Sequence, residues 1–312
     1  MPNYNGVWSL TTQLQYAADW PSAPTTPIGL FQRGTTIESI TITTTGNATD
    51  FGDKTTDISA CAACGSSTRG IFGGGETNSN VIDFVIFDSA GNATDFGDLT
   101  VTRQSMDGCN SDTRGVFGMG ADTQNTTDVV IDYITMASTG NATDFGDPSA
   151  NRAATSATSS TVRGVFGGGF IYSSSTRTNV IDYVTIASTG NASDFGDLTT
   201  GRNSLAACGS DTRGLFSGGR SSSSTYTNII DYITIASAGN ATDFGDLATS
   251  VSQHGGCSSL IRGVFAGGAN SNGSIEYVTI ASTGDGTDFG DLGITTFSGV
   301  AGCSAVNGGL TQ

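Results

Sequence analysis

Lysine and histidine are nearly missing from this chain: Lys54 and His254 are the only ones. Lys and Arg together number 12 against 28 Asp and Glu, a net charge of −16. So few cations cannot neutralise a run of backbone phosphates, which excludes a nucleic-acid partner. They also disfavour an anionic membrane surface. One histidine excludes a histidine-based metal cluster. No run of 18 apolar residues occurs, so no membrane insertion as a helix is expected. The opening MPNYNGVWSL has neither the basic region nor the apolar stretch of a secretory signal. Charged residues are only 13%, half the usual share, so Ser, Thr, Asn and Gly must make most of the surface. Amphipathic helical runs are absent as well.

What is present is glycine, 45 residues, among Thr, Ile, Val, Phe and Tyr. This is the composition of an all-β chain. One unit recurs six times. Its D-F-G-D begins at Asp50, Asp95, Asp144, Asp194, Asp243 and Asp288, at intervals of 45 to 50 residues. Such a period belongs to propeller blades. Each unit holds four short strand candidates; in the fifth they are 204–210, 213–219, 229–237 and 241–247. In the third strand Ile230 and Tyr232 face one way, Ile233 and Ile235 the other. A sheet apolar on both faces must be stacked between two others, which predicts a β-propeller of six four-stranded blades. Cys303 stands in register with Cys64, Cys109, Cys208 and Cys257, while the first unit lacks an innermost strand. The C-terminal strand is therefore expected to complete the N-terminal blade and close the ring. A faint strand pattern over 9–18 leaves a seventh, irregular blade as the alternative.

The chain divides into a leader or docking segment, 1–27, and a propeller, 28–312. The leader carries both tryptophans, Trp8 and Trp20. Either they pack on the ring or they dock to a larger assembly.

The unit R…C-G-S-x-T-R-G-x-F-x-G-G…I-D-Y-x-x-I…G-N-A…D-F-G-D-L resembles the kelch repeat. Gly218-Gly219 and Gly267-Gly268 match its double glycine, and Tyr232 and Tyr277 its first aromatic. Phe244 and Phe289 stand where the blade-end tryptophan falls. The near-identity of the units, with the G-V-W-S-L…W-P opening, is also similar to repeat proteins of tailed bacteriophages, especially marine, cyanophage-type ones. That resemblance implies a virion protein: tail fibre, appendage or capsid-surface decoration. It would be made in the bacterial host cytoplasm and contact other virion proteins through its leader. A host glycan or protein is the further partner implied. Alternatives are a cellular kelch-type interaction propeller and a glycan-binding or glycan-active module. Galactose oxidase shares the kelch-like ring, but its copper centre uses two histidines, so that chemistry does not carry over.

No catalytic residues are assigned, no cofactor is expected, and the chain reads as non-enzymatic. His254 is expected to be structural. The five cysteines in register, with Ser159 near that position in the fourth unit, should pack as free thiols. Cys61 and Cys64 should face opposite sides of one strand. The acidic turn holds twelve aspartates: Asp50, Asp53, Asp95, Asp98, Asp144, Asp147, Asp194, Asp197, Asp243, Asp246, Asp288 and Asp291. Calcium is one reading of such clustered oxygens. Backbone capping by Asn47, Asn92, Asn141, Asn191, Asn240 and Asp285 is the other. The N-A-[ST] triplets match a glycosylation acceptor, but in a bacterial product they are plain turns. Arg69, Arg114, Arg163, Arg213 and Arg262 are expected to pair with Asp83, Asp132, Asp182 and Asp231.

Two ends of the ring differ. The first-to-second and third-to-fourth turns are nearly uniform. The second-to-third connections vary in length, and Phe170, Ile171, Tyr172, Arg177, Arg220 and Tyr226 are the exposed candidates for a recognition face.

Overall fold

A computed structural model describes residues 27–77, 79–121, 130–294 and 298–305. Residues 1–26 of the leader, with Trp8 and Trp20, lie outside the described residues. Six four-stranded antiparallel sheets stand around one axis. Blade 1 runs outward from Ala301–Ser304 through Ile28–Arg33 and Thr36–Thr41 to Thr49–Asp53. Blades 2 to 6 start at the axis with Ala62–Gly65, Asp107–Asn110, Ser156–Ser159, Ala206–Gly209 and Gly255–Ser258. Each continues outward in chain order, ending at the D-F-G-D strand.

The closure expected from the cysteine register is present. The strand Ala301–Ser304 pairs with Ile28–Arg33, placing Cys303 opposite Leu30 and Gly302 opposite Phe31. The innermost strands touch one another all the way round, so six blades fill the circle and leave no place for a seventh.

Stacking follows from the two-faced strands. Six apolar clusters exist, one for each blade interface. Ile230 lies in the cluster between blades 5 and 6, and Ile233 and Ile235 in that between blades 4 and 5. A second-strand phenylalanine of each blade (Phe31, Phe72, Phe117, Phe166, Phe216, Phe265) inserts towards the blade before it and is buried. Full burial of such a side chain stabilises by roughly 1.5–3 kcal/mol. Near the axis each cysteine fits the glycine that opens the next blade's second strand. A methyl added at Gly115 would lie 2.9 Å from Cys64 Sγ, and one at Gly263 2.6 Å from Cys208 Sγ. Cys61 and Cys64 belong to different interfaces, as expected. In blade 4 the residue in register is Thr158 rather than Ser159, for it faces Val165 as Cys109 faces Val116. Its Cγ2 meets the site of a Cβ on Gly214.

The G-N-A segment closes the turn between the third and fourth strands and does more. It runs along the rim of the preceding blade, where Gly239 N donates to Phe195 O (2.7 Å) and Ala241 N to Asp197 O (2.7 Å). The side-chain oxygen of Asn47, Asn92, Asn141, Asn191, Asn240 or Asp285 accepts the second Asp's N–H from that neighbour, always at 3.1 Å. An outer strand would otherwise present unpaired N–H and C=O groups. The D-F-G-D glycine is required by this approach: at Gly196, φ is +143° and a Cβ would stand 2.5 Å from Gly239 O.

The arginine assignment needs correction. Arg69, Arg114, Arg163, Arg213 and Arg262 lie 4.5–4.7 Å over the rings of Phe84, Tyr133, Tyr183, Tyr232 and Tyr277. Each also donates to a carbonyl of the following blade, Arg213 to Ile280 O at 3.0 Å. The buried third-strand acids take their cations from the connection that precedes their blade. These pairs are Arg103–Asp132 (2.7 Å), Arg152–Asp182 (2.9 Å), Arg202–Asp231 (2.8 Å) and, more loosely, Lys54–Asp83 (3.9 Å). In blade 6 Val251 replaces the arginine and the acid is Glu276, which accepts Ala248 N at 2.8 Å. Glu38 of blade 1 similarly accepts Gly293 N at 3.0 Å. Burial raises the pKa of both glutamates, against the pull of these backbone bonds.

Candidate functional site: the variable end and its axial cavity

The chain enters each innermost strand at the end that carries the variable loops. There Ala60, Ser105, Ala154, Ser204, Gln253 and Gly299 all have φ between +53° and +77°. A left-handed residue at this point lets the backbone turn from the rim connection into the axis. Neighbouring turns are joined: Ala154 N donates to Ser105 O, Ser204 N to Ala154 O, Gln253 N to Ser204 O, Gly299 N to Gln253 O and Ala60 N to Gly299 O. The collar so formed surrounds an axial cavity with a free volume of about 90 Å³, walled by small residues of the innermost strands.

One charged side chain lines it, Asp107. The other blades carry Ala62, Ser156, Ala206, Gly255 and Ala301 at that position. Asp107 Oδ2 accepts Ala157 N (2.8 Å) and Ser156 Oγ (3.0 Å), and Oδ1 accepts Gly108 N (2.8 Å). Burial pushes its carboxyl up to about 6, these bonds opposing. The sequence reading missed this residue; the signal was an acid breaking a repeat position otherwise filled by Ala, Ser or Gly.

The variable loops sit around the collar and are tied to it by bridges such as Ala153–Phe170, Asn203–Arg220 and Ser252–Ala269. Phe170–Ile171 and Thr176–Arg177 form a small ribbon. Arg177 lies 5.4 Å over the Phe170 ring and donates through Nε to Asn203 Oδ1 at 2.9 Å. Phe170 meets Tyr172 edge to face at 5.1 Å. In the next blade Arg220 lies 4.8 Å over Tyr226 and donates to its hydroxyl at 3.1 Å and to Ser252 Oγ at 3.2 Å. All six candidates, Ile171 included, are half-buried rather than protruding. Their rings and guanidinium groups are already held by local contacts, so this surface is organised before any partner arrives. The blade 3 loop, 122–129, lies outside the described residues.

The twelve turn aspartates are spread around the rim, and the first of each pair is exposed. Among the described residues no group of three or more His, Cys, Asp or Glu is placed to hold a metal ion. The cysteines are free and buried, and burial pushes Cys303 up to about 12. His254 is buried, and its Nε2 is 2.8 Å from Ser217 Oγ. Burial, with a smaller push from Arg202, lowers its pKa to about 3. The unfolded chain therefore binds a proton through the normal histidine range that the ring does not bind. Stability falls as pH drops below about 6.5, by up to about 1.4 kcal/mol per unit from this group. His254→Gln, which can keep the Ser217 bond, is expected to flatten the fall in urea midpoint between pH 6.5 and 5; an unchanged slope would contradict a buried neutral imidazole.

The chain matches no family model and no curated protein. The geometry by itself defines the class: a closed six-bladed β-propeller offering a structural or interaction surface, with one patterned end and one variable end.

Proposed function

We propose that this chain is a non-enzymatic structural component of a phage virion, a tail fibre, appendage or capsid-surface decoration, whose variable end recognises a host glycan or protein. The observation that carries the recognition part is the coincidence of three features at one end: loops of differing length, two preorganised arginine–aromatic pairs and the mouth of the axial cavity. Tyr, Ser and Asn in such loops supply adaptable polar contacts. The virion part rests on the motif resemblance. Repeat-coded acids support a structural reading, since each third-strand acid does the same job of joining a blade to the chain before it.

Immunogold labelling and peptide mass mapping of purified particles test the placement. The expected result is the chain on intact virions. Its absence from particles, with recovery among host cytoplasmic partners, would favour the cellular kelch-type reading. Replacing 170–177 and 220–226 by short Gly-Ser turns is expected to abolish adsorption to host cells while the ring stays folded, with cooperative thermal unfolding retained at a somewhat lower midpoint. Unaltered adsorption would remove the recognition role from this end.

A further inference from the structure

All twelve Lys and Arg side chains lie among the described residues. Four pair with third-strand acids: Lys54, Arg103, Arg152 and Arg202. The five second-strand arginines stack on aromatic rings. Arg33, Arg177 and Arg220 are engaged at the variable end, Arg33 through Nε to Ser298 O at 2.8 Å. None lines the axial cavity. Asp107 is thus a half-buried carboxylate held by three neutral donors and facing a cavity that no Lys or Arg lines among the described residues. A carboxylate offers about four acceptor positions. Three are used here, which leaves about one free towards the cavity, and a partly buried charge gains from a counter-charge.

The rest of the wall is also rich in acceptors. Ser105, Ser204 and Gln253 stand at the mouth. The carbonyls of Ala63 and Ala207 lie against Gly108 and Gly256 at the inner edges of the next blades. One carboxylate among neutral oxygens is too few anionic ligands for a hard divalent ion. It suits a group with one positive charge and three N–H donors.

We propose that the axial cavity at the variable end binds a primary ammonium group, with Asp107 as its counter-charge. The group could come from a small amine, amino sugars included, or from a lysine side chain of a protein partner; the chemistry is the same. This inference rests on the variable end being a recognition face, but the cavity is separate from the rim loops. Loss of adsorption on loop replacement and loss of amine binding on mutation of Asp107 are therefore independent results. The other titratable groups on the wall are His254, turned to Ser217, and Cys61, whose Sγ is 3.1 Å from Lys54 Nζ.

Titration calorimetry on the full chain at pH 7.5, with propylammonium chloride as the probe, tests the proposal. Saturable one-to-one binding is expected. It should weaken about tenfold or more in Asp107→Asn. It should also be lost in Ser105→Phe, which fills the mouth and keeps the carboxylate; circular dichroism checks that both variants are folded. Tetramethylammonium, which has no N–H, should bind at least about tenfold more weakly. With the carboxyl at about 6, binding should also weaken about tenfold from pH 7.5 to 5. A second arm uses N-acetyl-lysine methylamide. Tighter binding than propylammonium assigns the site to a protein lysine, and weaker binding assigns it to a small amine. Failure of both probes, or binding indifferent to Asp107→Asn in a folded variant, would overturn the proposal.

Discussion

A chain ending at Val300 is expected not to form the ring. Removing 301–312 takes away the innermost strand of blade 1 and leaves the inner edge of Ile28–Arg33 unpaired. It also removes Ala301, Cys303 and Ala305, all buried, from the interface with blade 2. Cys303 fits the glycine of the next blade, 3.2 Å from where a Cβ on Gly70 would stand. The innermost strand further touches blade 6, so one deletion opens a sheet and two interfaces. An open edge next to exposed apolar surface invites association. Size-exclusion chromatography should show aggregate or heterogeneous oligomer, and near-ultraviolet circular dichroism should lose its tertiary signal. A monodisperse truncated monomer with cooperative unfolding would contradict closure by this strand.

Arg202→Met is expected to cost about 3–5 kcal/mol, the usual loss when one partner of a buried pair is removed. Both side chains of the Arg202–Asp231 pair are fully buried. Arg202 also holds the carbonyls of Phe216, Gly218 and Ile229. Thr199 would still donate to Asp231, at 2.6 Å from Oγ1, but a hydroxyl brings no charge. The double variant Arg202→Met, Asp231→Leu should lose less than Arg202→Met alone, because the stranded charge is gone. Urea unfolding at pH 7.5 decides it. A loss under about 1 kcal/mol, or a double variant worse than the single one, would mean that the pair is not what holds the connecting segment to blade 5.

The ring was legible because its causes are repeated. Six copies of a strand apolar on both faces, as in Ile230 and Ile233, allow only stacking between like sheets, and the Cys303 register then closes the circle. What could not be read was which groups meet across blades. Arg213 and Asp231 lie in one unit, and pairing them looked natural. In three dimensions the cation comes from the preceding connection, 29 residues before Asp231. A trace of this was present: arginine occurs where the acid is Asp132, Asp182 or Asp231, and is missing where it is Glu276. The G-N-A segment was read only as a turn, since a glycine-rich turn does not announce that it will also cover a neighbour's edge. Loop variation singled out one end of the ring, and there Phe170–Ile171 and Thr176–Arg177 do form a distinct ribbon. Asp107 was hidden because it is a single break in a repeat position otherwise filled by Ala, Ser or Gly, and one exception carries less signal than six copies.

Pairing of the two chain ends in one sheet can be trapped chemically with Leu30→Cys. Leu30 and Cys303 are directly opposed across antiparallel strands. Such Cα atoms lie about 4.5–5.5 Å apart, within the reach of a disulfide. After mild oxidation, non-reducing peptide mass mapping should find position 30 linked to Cys303, with the monomer retained on size exclusion. Two free thiols, or a link that appears only between molecules, would contradict the closed ring.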